Sequence, residues 1–461
     1  MANWKMARTR FLLPFSSLKG LETRIQDGYV LIKGTKIVEA GKYTSDIGKR
    51  IIDDYGENLK ILGCNKEDSL SIDDIQEING VGLPGFIKSH GHDHESPLIG
   101  LAKDVPLTTW LDNAVNLFTG FLNEQLDELS RTFGQSPYLV TYLKARLDDT
   151  SYGITTALTH HCNFNKYHVD ELVEANRVAG TRLIIAVGSQ DRNYDERIID
   201  TPETAVERLN LYYEKHRENP RVQIIPGPDQ FFSNGPVLLK ALKQWAIDHN
   251  TFIHIHSSEE PETTKWFIET YGKTPVEYGE SIDFLDDKTL LAHQVNTTER
   301  DLEILARTGT KVVHNPLANT ILGSGMPPII EMMEAGITVV ISTDGSGSAD
   351  NQNMLNAARL ASQYQKARRK DPRIMTAQQV LEMVTTVPAR MLELNAGSLE
   401  PGKDADFIVI DLSVPNLTPT RLETVVENLI WAANGNEIKH VIANGEVLLE
   451  DYDFKRLDKE K

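Results

Sequence analysis

The amino-acid sequence predicts an α/β protein in which a (β/α)8 TIM-type barrel is joined to a small β-sandwich domain built from both chain ends. Three observations lead to this prediction. The 461 residues exceed the size at which a single hydrophobic core usually stops growing. Short alternating strands occupy both ends, and apolar runs alternate with helical stretches between them. We therefore expect the sandwich in residues 1–82 and 396–461 and the barrel in residues 83–395.

The amino-terminal part is expected to consist mainly of strands. An apolar run at residues 11–13 predicts the first strand, and Pro14 ends the run far short of a signal-peptide core. Two strands punctuated by glycine follow, at residues 28–34 and 36–41. The acidic stretch at residues 53–80 has no strong periodicity, and we predict that it is an excursion from the β unit.

The central part contains eight short apolar runs, each followed by enough residues for a helix. They are residues 85–87, 154–158, 183–187, 222–225, 252–255, 289–292, 311–313 and 337–341. One intervening segment, residues 237–246, has clear amphipathic helical spacing. A count of eight favours a closed barrel over the competing fold, a doubly wound parallel sheet.

The β pattern returns after residue 395. Residues 407–410 predict one strand, and residues 439–443 and 446–449 predict a hairpin through Asn444-Gly445, a dipeptide typical of a type I′ turn. The two ends resemble each other and differ from the middle, so we predict that they form one small domain flanking the barrel.

The composition excludes several classes of partner. The net charge is −18 at pH 7, which repels nucleic acid and anionic lipid surfaces. No stretch approaches the roughly 18 uninterrupted apolar residues of a membrane span. Cys64 and Cys162 are too few for a disulfide framework. We therefore expect a soluble, cytoplasmic protein that binds neither nucleic acid nor membranes.

Histidines follow the predicted strands at one end of the barrel. Three His-x-His pairs occur among 13 histidines, against about 0.4 expected at random: His90/His92, His92/His94 and His254/His256. Reactive residues of such barrels lie at the carboxyl ends of the strands, where the loops converge. These pairs are therefore candidates for a common site.

Three histidines and one aspartate at predicted strand ends have the chemistry of a metal site. His90 and His92 are two residues apart and share one face of a strand. With His256 and the carboxylate of Asp344, they would suit zinc or ferrous iron with one open position. Glu259 follows His256 by three residues, where it could move a proton between bound water and a substrate nitrogen.

The same segments resemble the amidohydrolase superfamily, within it the branch of nucleobase, thioadenosine and triazine aminohydrolases and chlorohydrolases. The motifs are PGFIKSHGH at residues 84–92, HIHSSE at 254–259, AHQ at 292–294, HNPLAN at 314–319, STDG at 342–345 and GSLEPGKDADF at 397–407. The resemblance spans residues 25–450. It implies His90, His92, His256 and Asp344 as metal ligands.

The resemblance also implies the rest of the chemistry. Glu259 and His293 correspond to catalytic residues, and Asp344 would act as a base as well as a ligand. Binuclear members carry a lysine at the end of strand four, where this chain reads VQIIP at residues 222–226. We therefore expect one divalent metal ion, zinc first and iron second, in a homodimer or larger homo-oligomer.

Candidate substrate contacts lie beside the predicted centre. His94, His160 and His161 fit either substrate contact or loop packing, and Trp110 fits either a ring-pocket cover or a helix core. Asp229 and Gln230 could meet a ring rich in hydrogen-bond donors, and Asn319 belongs to the HNPLAN motif. His254 is expected only to buttress the metal ligands.

The predicted function is that of a metal-dependent hydrolase, most simply an aminohydrolase. Attack by metal-bound hydroxide would release an amino group as ammonia from a small nitrogen heterocycle, a cyclic amidine. The ribose-binding features of thioadenosine deaminases are missing, since residues 227–229 read GPD rather than Gly-Pro-His, which makes a nucleoside doubtful. A triazine-type chlorohydrolase and a cyclic amide hydrolase are alternatives. A non-catalytic scaffold would be expected to have lost ligands, all of which are present here.

Overall fold

The computed structural model describes residues 3–16, 23–66 and 68–458, so the outermost residues of the two predicted terminal segments lie outside the described residues. The amino-terminal strands begin the fold. They are β1 (Trp4–Leu12), β2 (Ile25–Lys33), β3 (Lys36–Lys42), β4 (Leu59–Ile61) and β5 (Ile78–Pro84). β1 pairs antiparallel with β2 and parallel with both β4 and β5.

Eight central strands form two parallel four-stranded sheets. The first holds β6 (Phe86–Lys88), β7 (Ile154–His161), β8 (Arg182–Ser189) and β9 (Val222–Pro228); the second holds β10 (Ile253–Ser257), β11 (Thr289–His293), β12 (Lys311–His314) and β13 (Val339–Ile341). All eight predicted apolar runs are confirmed as strands. Their residues are buried almost throughout, which is why the runs are continuously apolar rather than alternating.

Hydrogen bonds connect the two central sheets on both sides. His256 N donates to Asp229 O at 3.1 Å, which joins β10 to the end of β9. On the other side, Ser342 Oγ donates to His90 O at 2.7 Å and accepts from His90 N at 3.1 Å. One buried apolar cluster takes side chains from β6, β7, β8, β9, β11, β12 and β13 and from Phe252, immediately before β10. The two central sheets therefore share one buried apolar interior.

Four carboxyl-terminal strands return to the first sheet. They are β14 (Phe407–Asp411), β15 (Ile438–Ala443), β16 (Glu446–Glu450) and β17 (Asp453–Phe454). The described strands of the two ends form one nine-stranded sheet in the order β17-β16-β15-β14-β5-β1-β2-β3, with β4 paired to β1. The turn between β15 and β16 has positive φ at Asn444 (49°) and Gly445 (74°), as the type I′ prediction requires.

Helices connect and cover the central strands. They are α1 (Ser45–Tyr55), α2 (Leu107–Trp110), α3 (Asn116–Glu124), α4 (Leu126–Phe133), α5 (Pro137–Ser151), α6 (Val169–Ala179), α7 (Pro202–His216), α8 (Pro236–Asp248), α9 (Pro261–Tyr271), α10 (Pro275–Ser281), α11 (Glu299–Thr308), α12 (Pro316–Ile321), α13 (Ile329–Glu334), α14 (Ser346–Ala349), α15 (Met354–Arg369), α16 (Ala377–Glu382), α17 (Thr386–Met391) and α18 (Val425–Ala432). Several start with proline in the first turn, where its missing N–H costs no hydrogen bond. In the described part of the chain, every helix is too short or too polar to cross a bilayer.

The structure differs from the sequence prediction at both chain ends. Helix α1 stands in the segment expected to be strands, capped by Thr44 Oγ1, which accepts from Ile47 N at 3.3 Å. The helix is amphipathic, but it has only 11 residues and buries only Gly48 and Ile51, so packing rather than a long helical pattern decides its structure. The stretch at residues 53–80 contributes β4 and the first three residues of β5, and α18 interrupts the carboxyl-terminal strands.

Candidate active site

A cavity of about 460 Å³ lies at the carboxyl ends of the central strands. Four carboxylates reach its wall: Glu95, Asp229, Glu259 and Asp344. Among the described residues that line it there is no lysine or arginine. Burial raises the pKa of Glu95 and Glu259, so the wall offers hydrogen-bonding carboxyl groups and, among these residues, no side-chain cation that would hold an anion.

Three imidazoles and one carboxylate meet at the base of this cavity. His92 Nε2 lies 3.2 Å from His256 Nε2, and Asp344 Oδ1 lies 3.3 Å from His90 Nε2 and 3.6 Å from His92 Nε2. Ligands about 2.0–2.1 Å from a tetrahedral zinc ion are separated by about 3.3–3.4 Å. The three separations measured among the predicted ligands are thus close to those that a divalent cation would impose.

The opposite ring nitrogens fix which atom faces this centre. His92 Nδ1 donates to the His160 carbonyl at 3.0 Å, and His256 Nδ1 donates to the Asp229 carbonyl at 2.6 Å. Each ring therefore carries its proton on Nδ1 and presents a lone pair on Nε2. His90 Nε2 is buried and has no hydrogen-bond partner. An unsatisfied buried nitrogen aimed at two other ligands fits a cation site.

Burial keeps the imidazole rings of His90 and His92 neutral. It lowers the pKa of His90 and His92 well below the ordinary histidine value, and the neighbouring imidazoles lower both further. Neutral imidazole is the form that binds a metal ion. The electrostatic environment therefore matches the geometry.

Glu259 and His293 face each other beside this centre. His293 Nδ1 donates to Asn319 Oδ1 at 2.8 Å, while its Nε2 lies 3.6 Å from Glu259 Oε2 and 3.7 Å from Asp344 Oδ2. Burial raises the pKa of Glu259 to about 8; His256 opposes the shift and Asp344 adds to it. Burial lowers the pKa of His293, against the effect of Asp344. Glu259 is thus a proton donor at neutral pH, next to a neutral imidazole.

Two of these residues have unusual backbone conformations. His293 has φ of 74° and Asp344 has φ of 80°, a region that costs a non-glycine residue about 1–3 kcal/mol. The strain at Asp344 is held by Gln352 Nε2, which donates to the Asp344 carbonyl at 3.0 Å. Gly345 N also donates to Asp344 Oδ1 at 2.7 Å. Strained residues held in this way are typical of functional sites.

The predicted substrate contacts divide into two groups. His94, Trp110, Asp229 and Gln230 line the cavity. His160, His161 and Asn319 are fully buried and are not among its lining residues. The His161 ring packs 5.2 Å from that of Tyr142, and Asn319 orients His293.

Sequence reasoning missed several residues of the cavity wall, among them Glu95, Tyr194 and Cys162. Glu95 accepts from Ser348 N and Oγ, both at 3.0 Å, and Tyr194 donates to Asp229 Oδ2. Cys162, the third, comes directly after β7, so the strand-end rule could have found it. Tyr194 lies in a loop without a motif and left no signal in the sequence.

The chain belongs to the amidohydrolase family, whose model matches residues 81–448. A relative from Thermococcus sibiricus named 5-methylthioadenosine/S-adenosylhomocysteine deaminase is 32% identical over 428 residues, covering 92% of this chain and 93% of that protein. An atrazine chlorohydrolase from Arthrobacter aurescens, solved with zinc, has a TM-score of 0.81 at 24% identity over 99% of this chain and 97% of its own.

A second structural neighbour extends the range of named activities. Guanine deaminase from C. acetobutylicum, solved with bound guanine, has a TM-score of 0.78 at 21% identity over 96% of this chain and 100% of its own. Both likenesses to solved structures establish the fold.

Proposed function

We propose that the protein is a metal-dependent aminohydrolase that releases ammonia from an amino-substituted nitrogen heterocycle. Glu259 carries the proposal, because its pKa of about 8 places a proton donor 3.6 Å from His293 and beside the predicted metal ligands. The eight central strands would close into a barrel over residues 83–395, and the sheet of the chain ends would fold into a sandwich as residues 1–82 and 396–461. A homodimer or larger homo-oligomer is part of the proposal.

His90, His92, His256 and Asp344 would hold one divalent cation, zinc before iron, since the set combines three imidazoles with one carboxylate. Such a cation lowers the pKa of a coordinated water molecule toward about 7 and so supplies the nucleophile at neutral pH. The chain itself supplies the proton transfers.

Three side chains divide those proton transfers. Glu259 gives its proton to the ring nitrogen adjacent to the carbon under attack, which neutralises negative charge as it forms. Asp344 Oδ2, 3.7 Å from His293 Nε2, accepts a proton from the attacking water and passes it to the departing amine. His293, held by Asn319, stabilises the oxygen that becomes the product carbonyl, and the proton that this oxygen loses returns to the Glu259 carboxylate.

The carboxyl groups of the cavity wall support a substrate class. The side chains of His160, His256 and Tyr194 outweigh burial at Asp229 and lower its pKa to about 2, so it is a permanent hydrogen-bond acceptor. A ring edge bearing N–H or NH₂ groups would match it, as in aminopurines, aminopyrimidines and aminotriazines. Adenosine-type nucleosides join the candidates through the named relatives. Phosphorylated substrates would meet the ionised Asp229 and no cationic side chain among the described lining residues.

The test is a release assay on the zinc-loaded protein. Amino-substituted bases, triazines, pterins and nucleosides are screened for ammonia, with chloride measured in parallel on chlorinated triazines. Ammonia release from at least one ring, absent after chelation and restored by zinc, is expected. Chloride release without ammonia would replace the aminohydrolase by a chlorohydrolase. Zinc-loaded protein inactive on every compound would contradict the proposal.

A further inference from the structure

His90, His254 and His160 form a buried row of three imidazoles. The row leads from the candidate metal centre to the cavity carboxylate Asp229. His90 Nδ1 lies 3.2 Å from His254 Nε2, and His254 Nδ1 lies 3.1 Å from His160 Nδ1. His160 Nε2 then lies 3.4 Å from Asp229 Oδ1. All three rings are fully buried, so water cannot replace any of these partners.

We infer that His254 is a positioning residue that couples cation binding at His90 to the hydrogen bonding of Asp229 in the substrate cavity. This inference rests on the proposed function, because it takes His90 as a metal ligand. It assigns His254 more than the structural support that the sequence predicted.

The two ends of the row demand the same arrangement of protons. A cation on His90 Nε2 leaves the proton on Nδ1, which donates to His254 Nε2. His254 then carries its proton on Nδ1 and donates to His160 Nδ1. His160 must in turn carry its proton on Nε2, facing a carboxylate that only accepts. One tautomer of each ring satisfies every contact.

Without a cation, the same row lacks one proton. Asp344 Oδ1 lies 3.3 Å from His90 Nε2 and Asp229 Oδ1 lies 3.4 Å from His160 Nε2, so a carboxylate stands beside each end of the row. Together with the two contacts between rings, four positions therefore favour an N–H. Three neutral rings supply only three. The cation takes the place of the missing proton at His90 Nε2, and the other three contacts can then form together. Cation binding therefore favours the state in which His160 donates to Asp229.

The consequence for the substrate lies at Asp229. His160 approaches Oδ1 and Tyr194 donates to Oδ2, so the carboxylate is held from two sides and its remaining lone pairs are directed. A fixed acceptor loses less entropy when it binds the N–H groups of a ring. Because coupling is reciprocal, what weakens the row at Asp229 also weakens the cation at His90.

The experiment is a double-mutant cycle on zinc affinity, measured by competition with a chelator on the full-length protein. His254→Phe keeps a ring of similar size without nitrogens and should raise the zinc dissociation constant about 10–100-fold, the range for an outer-sphere partner of a ligand. Asp229→Asn keeps the backbone carbonyl that orients His256 and should weaken zinc several-fold. In the His254→Phe background, the factor by which Asp229→Asn raises the zinc dissociation constant should be at least threefold smaller than in wild type.

Two further variants make the result specific. His161→Phe replaces the neighbouring buried histidine, whose ring nitrogens make no hydrogen bond to the row and which does not line the cavity, and zinc affinity should stay within about twofold. His254→Gln restores an amide that accepts at one atom and donates at another, and it should recover part of the affinity. With zinc saturating, His254→Phe should also raise KM for the substrate more than it lowers kcat.

The outcomes separate the two proposals. The coupling would be overturned if His254→Phe bound zinc as tightly as wild type. It would also be overturned if the double variant lost zinc affinity by the product of the two single losses. If His254→Phe does not fold, the cycle is run with His254→Gln, and the same multiplicative result would overturn it. Zinc binding that His90→Asn leaves unchanged would instead remove His90 from the ligands and sink the proposed function.

Discussion

The sharpest prediction concerns Glu259. Replacement by glutamine keeps the size of the side chain and its hydrogen-bonding capacity but removes the transferable proton. The raised pKa of about 8 means that the carboxyl group of Glu259 is mostly protonated at pH 7 before a cation binds. General acid–base catalysis contributes about 10²–10⁴-fold in rate, or about 3–5 kcal/mol of transition-state stabilisation. We expect Glu259→Gln to lower kcat by that factor while zinc content, measured by elemental analysis, stays unchanged.

The pH dependence of turnover checks the same assignment. A group that acts as an acid is competent below its pKa, so turnover should fall as the pH rises above about 8. A bound cation stabilises the carboxylate and moves this limb toward lower pH, which makes pH 8 an upper bound. Glu259→Gln should lose the limb.

The neighbouring carboxylate provides a matched control. Glu260 is also buried, but it does not line the cavity, and Glu260→Gln should keep most of the turnover. Zinc-loaded Glu259→Gln with turnover within about threefold of wild type would remove Glu259 from the mechanism.

Two other substitutions test the ligands and their support. His256→Asn should lower zinc affinity by more than about tenfold, because loss of a hydrogen-bond partner of a ligand already costs about that much. Unchanged zinc stoichiometry would refute the ligand assignment. Lys88→Met removes the buried ammonium that donates to Asp149 at 2.6 Å, which should cost about 3 kcal/mol of unfolding free energy in denaturant titrations. Lys144→Met, in a half-exposed pair, should cost less than about 1 kcal/mol, and equal losses would contradict the difference in burial.

The central strands and the candidate site could be predicted because they obey strong local rules. Strands buried on both faces must be apolar throughout, so each of the eight runs stands out from its amphipathic neighbours. A ligand set supplied by strand ends falls at fixed offsets from those runs, as His90 and His256 do. The short distances between the histidine nitrogens at the cavity base follow from the position of these histidines at the strand ends.

The elements that escaped prediction depend on tertiary contacts. Helix α1 is amphipathic but short, and it is held by packing on the nine-stranded sheet of the chain ends. The positive φ of His293 and Asp344 has no signature in residues that are not glycine. Tyr194 reaches Asp229 from a loop, and loop residues gain their partners only when the whole chain has folded.

The three candidate imidazole ligands differ in how they are oriented, and this difference has consequences for substitution. His92 and His256 donate to backbone carbonyls of residues 160 and 229, which any side chain at those positions preserves. His90 donates to the side chain of His254, so its tautomer depends on that residue's identity. The fold alone therefore orients two ligands. For the third, position 254 should tolerate only residues that accept a hydrogen bond from His90 Nδ1, although it contacts neither the cavity nor the cation directly.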